Sequence, residues 1–124
     1  MKIEEKVLGY DVIGIDEGQF FDDLINFCDK MANLGKLIIV AGLDGDYLRE
    51  PFHNVLGLIS KAKKVDKMLA VCMMCGDDAQ FTMKKIKKIK SVTNDIAKRI
   101  EIGDDIYVSA CRKCFGSRSK KDFY

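Results

Sequence analysis

Hydrophobic positions in this chain follow two periods, and the switch between them marks out its elements. Tyr10-Asp11-Val12-Ile13-Gly14-Ile15-Asp16 is a short β-branched run ending in an acid. It predicts a buried parallel strand whose last residue emerges at the carboxyl edge of a sheet. Leu24, Phe27, Cys28, Met31 and Leu34 then recur at helical spacing. Asp22 and Asp23 open this helix as first-turn carboxylates, and Gly35 follows as its stop. Lys36-Leu37-Ile38-Ile39-Val40-Ala41 predicts a second buried strand. Strand, helix and strand in that order make a right-handed βαβ unit with a parallel sheet, so the expected fold class is α/β.

Beyond Ala41 the periodicity loosens. Turn formers mix with Tyr47 and Phe52 between Gly42 and Phe52. This is a loop at the same carboxyl edge, where open α/β sheets bind ligands and where aromatic residues either pack under the loop or wall a pocket. Asn54 is placed to cap a short helix running through Ile59. Lys67 to Met73 predicts a third strand, and residues 76 to 110 form an excursion beyond it. The run Lys84-Lys85-Ile86-Lys87-Lys88-Ile89-Lys90 is its strongest charge cluster and reads as a solvated loop.

Composition narrows the class. Hydrophobic residues are 48% and charged residues 32% of the 124, a globular balance that fills one modest core. A formal net charge of +2 is too small to imply nucleic acid or a membrane surface as partner. No apolar stretch is long enough to cross a bilayer. The charged start, Met1-Lys2-Ile3-Glu4-Glu5-Lys6, is unlike a secretory signal. A reducing cytoplasm is therefore the expected location, and thiolates there bind metal rather than pair.

The cysteines carry the strongest motif. Cys72-Met73-Met74-Cys75 and Cys111-Arg112-Lys113-Cys114 are two C-x-x-C hooks, able to close four thiolates around one zinc ion. The competing reading is a pair of redox or disulfide cysteines; two hooks in one short chain favour zinc. A four-thiolate site is coordinatively closed, so this ion would staple the chain and do no chemistry. Cys28 lies in the helical pattern and reads as a buried small hydrophobe. His53, the one histidine, reads as a surface residue.

Chemistry is then sought at Ile15-Asp16-Glu17-Gly18-Gln19-Phe20-Phe21. An apolar strand followed by adjacent carboxylates has the form of a Walker B edge, one acid holding magnesium beside nucleotide phosphates and its neighbour able to act as general base. Many parallel strands end in an acid, so the pair alone is a weak signal.

The order of parts adds to it. The segments YDVIGIDEGQFFDDLINFCDKMANLGKLIIVAGLDGDYLREPF, AVCMMC and YVSACRKCF together resemble the type II thymidine kinases, from about Tyr10 to Phe115. The resemblance implies a parallel-sheet P-loop kinase core, incomplete at the N-terminus, over residues 1–71. A zinc-ribbon lasso over 72–115 and a C-terminal tail over 116–124 follow. It implies ATP-dependent phosphorylation of the thymidine 5′-hydroxyl to dTMP, with structural zinc, magnesium with ATP, and a homodimer or homotetramer.

Residue by residue, the resemblance makes Asp16 the magnesium-associated acid and Glu17 the base, with Gln19 just beyond them at the cofactor side. Phe20, Leu43, Phe52 and Tyr107 match residues around the thymine ring, and Tyr47 stands at another pocket position where the family has phenylalanine. Thr82 matches a threonine near the base, and the main chain around Ile102 and Gly103 matches the strand that reads the base edge. Cys72, Cys75, Cys111 and Cys114 match the zinc ligands.

Two departures touch the lasso. Its Gly103-Asp104-Asp105-Ile106-Tyr107 turn is shorter than the usual form with paired glycines, and the excursion between the hooks is longer and richer in lysine. A third is larger: no G-x-x-x-x-G-K-[ST] occurs in these residues, although a P-loop is what cradles ATP phosphates. The expectation is a fragment or truncated gene model of a thymidine kinase, without useful activity alone. The alternative is a non-catalytic zinc-stabilised remnant that binds nucleoside or an oligomer partner. A zinc-ribbon nucleic-acid binder ranks last, because the lysine run offers only Ile86 and Ile89 and no stacking residue.

Overall fold

The computed structural model describes residues 3–85 and 106–117. The chain divides into two units, Met1–Asp46 with Glu50–Asp66, and Tyr47–Arg49 with Lys67–Tyr124.

The first unit contains helix α1 (Glu4–Val7), strand β1 (Val12–Ile15), a single 3-10 turn (Gly18–Phe20), helix α2 (Leu24–Asn33), strand β2 (Leu37–Val40) and helix α3 (His53–Ile59). β1 and β2 pair in parallel, Val12 opposite Leu37 through Ile15 opposite Val40. The strand–helix–strand order expected from the periodicity is therefore present. Ile13, Ile15, Leu24, Phe27, Cys28 and Met31 form the core, with Val7, Ile38, Val40, Val55 and Leu58 packed around it. Leu24 and Met31 are fully buried, and burying side chains of this size contributes about 1.5–3 kcal/mol each.

The end of α2 follows from Gly35. Its φ of 84° lets Gly35 N donate to Ala32 O and Lys36 N to Met31 O, a Schellman closure that a side-chain-bearing residue adopts only under strain. Lys36 Nζ then donates to the carbonyls of Leu8 and Tyr10, tying the helix exit to the entry of β1.

Several expectations are corrected here. The strands are not buried on both faces: Val12, Leu37 and Ile39 are 55%, 58% and 57% exposed. The helices of this unit cover only the face that carries Ile13, Ile15, Ile38 and Val40. Asp22 and Asp23 stand before the first turn of α2, not in it, and Asp23 forms no side-chain cap. Asn54 is not the cap of α3 either. Phe52 holds that position, and the Asn54 side chain bonds elsewhere.

The second unit is built from antiparallel pairs. Strand β3 (Ala70–Val71) pairs with β4 (Asp78–Ala79), and β5 (Phe81–Lys85) with β6 (Ile106–Ala110); helix α4 (Arg112–Gly116) follows. Met83, Ala110 and Phe115 form one core, with Phe81 and Val108 against it. The Arg49 guanidinium lies 4.6 Å from the centre of the Phe115 ring, and that of Arg112 lies 5.0 Å from the centre of Phe81. Such cation–π contacts contribute about 0.5–1 kcal/mol at exposed sites.

The third strand expected over 67–73 shrinks to Ala70–Val71 and pairs outside the parallel sheet. The chain reverses just after it: Gly76 N donates to Cys72 O and Cys72 N to Asp77 O, with Gly76 at φ 81°. The excursion between the hooks is also partly sheet, Lys84 lying opposite Tyr107 and Lys85 opposite Ile106. Residues 86–90 of the lysine run, with Ile102 and Gly103, lie outside the described residues. Among the described residues no helix is long and apolar enough to cross a membrane.

Candidate functional site

At the carboxyl edge of β1 the chain leaves the strand through Asp16 and Glu17. Asp16 Oδ1 accepts from Glu17 N at 2.9 Å, and Glu17 adopts the left-handed region at φ 53°, ψ 46°. A glutamate gains nothing intrinsic there, so surrounding structure must hold it. Gly18 supplies part of that hold, donating from its N to Ala41 O at 2.9 Å. A Cβ at Gly18 would lie 2.8 Å from Val40 Cγ1, so only glycine lets the turn approach β2 this closely.

Gln19 supplies the rest. It is 7% exposed; its Nε2 donates to Glu17 Oε2 at 2.6 Å and its Oε1 accepts from Leu43 N at 3.1 Å. Both ends of the buried amide are thereby satisfied. The turn that carries Gln19 is held from α3, where Asn54 Nδ2 donates to the carbonyls of Gly18, Gln19 and Phe21 at 3.3, 3.0 and 2.9 Å. Asn54 Oδ1 accepts from Val55 N. The periodicity read Asn54 only as a cap; the residue type signalled local bonding, but its partners lie far off in sequence.

The first unit thus brings Asp16, Glu17, Gln19 and the Leu43 amide into one hydrogen-bonded edge. Phe20 projects from the turn, 73% exposed, and the Leu43 side chain is 46% exposed. Phe52, half-buried, donates from its N to Asp44 O at 2.9 Å. In the second unit Tyr47 and Tyr107 meet ring to ring at 6.0 Å with planes inclined by 50°, and Lys84 Nζ sits 5.1 Å from the Tyr47 ring. Thr82 lies in β5 opposite Ser109.

The four hook cysteines converge in the second unit. β3 delivers Cys72 and β6 delivers Cys111, and Met73 N donates to Ser109 O at 3.0 Å between them. Cys111 caps α4, its Sγ accepting from Cys114 N at 3.4 Å. All four Sγ atoms lie within 4.8 Å of one another, and Cys75 Sγ is 3.7 Å from Cys111 Sγ. Zinc–sulfur bonds of about 2.3 Å imply a tetrahedral edge of about 3.8 Å. The cluster fits a zinc ion in both donor type and spacing.

The thiols show why a cation suits them. Hydrogen bonding from the Cys111 backbone, helped by the Cys75 and Met74 backbones against burial, lowers Cys72 to about 6. The neighbouring Cys111 side chain, then burial and the other hook thiols, push Cys114 up to about 12. At Cys75 the Asp77 backbone favours the thiolate, but burial and the Cys111 and Cys72 side chains outweigh it and raise the thiol. Packed sulfurs hold protons unless positive charge enters among them.

The thymidine kinase family model matches residues 1–115. The thymidine kinase of vaccinia virus (strain Western Reserve) is 48% identical over 113 residues, which cover 90% of this chain and 59% of that protein. Those of monkeypox virus and variola virus match at the same identity and coverage. The chain therefore spans 59% of the length of these curated relatives. With the family matched over nearly all of its residues, the chain belongs to the thymidine kinase family.

Proposed function

We propose that this chain is the part of an ATP-dependent thymidine kinase that carries the base and the zinc-stapled lasso. The observation that supports this most directly is the Glu17 carboxylate, presented at the end of β1 and gripped through Oε2 by a buried glutamine. In this reading Glu17 takes the proton from the thymidine 5′-hydroxyl as that oxygen attacks the γ-phosphorus of ATP; dTMP forms and ADP leaves. Holding one carboxylate oxygen fixes the direction of the other, and positioning is the main resource of phosphoryl transfer.

Asp16 would hold the magnesium ion of ATP, which neutralises charge on the phosphate oxygens, with Gln19 beside it. Phe20, Leu43, Tyr47 and Phe52 are the pyrimidine-pocket residues of the kinase core over 1–71. In the lasso, Tyr107 is the ring-lining residue, Thr82 the residue near the base, and the main chain at Ile102 and Gly103 the part that would read the base edge. Cys72, Cys75, Cys111 and Cys114 hold zinc that supports the lasso over 72–115, ahead of a tail over 116–124. The proposal includes a P-loop kinase core, a homo-oligomer, a cytoplasmic location and no nucleic-acid partner.

The test is ATP-dependent dTMP formation, measured for residues 1–124 alone and after a segment bearing a Walker A motif is joined ahead of residue 1. Turnover that appears with the segment and is lost in Glu17→Gln supports the proposal. Thymidine binding with no turnover in either form favours a nucleoside-binding module. Turnover that survives Glu17→Gln unchanged removes Glu17 as the base.

A further inference from the structure

We infer that Asn54 is a positioning residue for the Glu17 carboxylate, acting through the Gly18–Phe20 turn and Gln19. The inference rests on the reading of Glu17 as the base. Its geometric half does not depend on that reading.

The carbonyls of Gly18, Gln19 and Phe21 converge on one side of a single 3-10 turn, a piece too short to hold itself by its own hydrogen bonds. The turn has two such bonds, Phe20 N to Glu17 O and Phe21 N to Gly18 O. Asn54 Nδ2 lies within 3.3 Å of all three carbonyl oxygens, so the two N–H bonds of one amide serve three acceptors, one hydrogen being shared. The donor comes from 35 residues along the chain from Gln19. The clamp is thus a tertiary one, tying the turn to α3.

What the clamp holds is Gln19. With its carbonyl fixed by Asn54, the Gln19 side chain spans from Leu43 N to Glu17 Oε2. A shift of the turn would move both ends together. Glu17 also sits at φ 53° just before the turn, a conformation that persists only where the surroundings over-determine it. Gly18 docks the turn on Ala41 O and Gln19 grips the Glu17 carboxylate, and Asn54 holds the turn that carries them both.

Asn54→Asp is the informative variant. It keeps the oxygen that accepts from Val55 N and replaces the donor with an acceptor facing three carbonyls. In the 124-residue chain, hydrogen exchange at the Gln19 side-chain amide and the Leu43 amide should quicken on the order of tenfold or more, while the amides of α2 change little. In the catalytically active form, kcat should fall on the order of ten- to hundredfold, with KM for thymidine nearly unchanged. The variant should add no further loss in a Glu17→Gln background.

Unchanged exchange at Gln19 would overturn the inference, as would normal kcat in Asn54→Asp beside an inactive Glu17→Gln. If Glu17→Gln keeps its turnover, the base assignment fails, and the exchange data still decide whether Asn54 holds the turn. Should the aspartate variant unfold, Asn54→Ala, which removes the donor without adding charge, decides the question. Equal loosening of α2 and the turn in Asn54→Ala would make Asn54 a general scaffold residue and overturn the inference.

Discussion

Cys75 Sγ lies 3.7 Å from Cys111 Sγ across 36 residues of sequence, close to the edge of a zinc–thiolate tetrahedron. No disulfide joins them or any other cysteine among the described residues; all five are free. One zinc ion per chain should copurify, as counted by metal analysis. Cys72→Ser and Cys114→Ser should each abolish stoichiometric zinc and lower the melting temperature of the second unit, because structural zinc contributes folding energy directly. Metal-free protein with an intact fold would sink the site.

Zinc binding should release at least two protons at neutral pH. Cys75 is raised above the ordinary thiol value and Cys114 is pushed up to about 12, so both hold protons in the metal-free chain. Calorimetry in buffers of different ionisation enthalpy counts the released protons. Affinity should weaken as pH falls, since protons then compete for the same sulfurs.

In the form joined to a segment bearing a Walker A motif, Glu17→Gln should lower kcat on the order of a hundredfold or more while leaving the thymidine dissociation constant nearly unchanged, because the loss falls on proton transfer. Rapid-quench kinetics and equilibrium binding separate the two quantities. Equal loss in both would assign Glu17 to substrate binding instead.

Gly18→Ala should destabilise the first unit by about 1–3 kcal/mol, the usual cost of overpacking. The new Cβ would meet Val40 Cγ1 at 2.8 Å and Leu24 Cδ2 at 3.3 Å. Gly14→Ala is the control, since nothing lies within 4 Å of its Cβ position. Urea denaturation followed by a first-unit probe should separate the two.

Cys28 ties stability to alkaline pH. Burial, with a smaller push from the Asp23 carboxylate, raises its thiol above the ordinary 9.0. The folded state therefore holds a proton that the unfolded chain gives up. Its contribution is full below the unfolded value and is lost as pH rises through the folded one. Urea midpoints should fall as pH rises past the ordinary thiol value, and fall less in Cys28→Ala.

The local elements of the first unit were legible in the sequence, because each depends on neighbours close along the chain. Leu24, Phe27, Cys28 and Met31 share a helical face by period alone, and Gly35 stops the helix by its own backbone freedom. The cysteine hooks were legible for the same reason, each pair being set by one short turn, and the acidic end of β1 was visible as an acid after an apolar run.

Tertiary structure decided the rest. Whether Val12, Leu37 and Ile39 are covered depends on which face the helices pack against, and β-branched composition does not record that. Ala70–Val71 looks like any strand until the hook turn sends it back to pair with Asp78–Ala79. Asn54 has the residue type of a cap, yet its donor finds carbonyls more than thirty residues away. Periodicity reports one chain segment against an unseen environment, whereas a hydrogen bond between distant segments depends on how both have folded. The hold on Glu17 belongs to that second kind and became visible only with the fold.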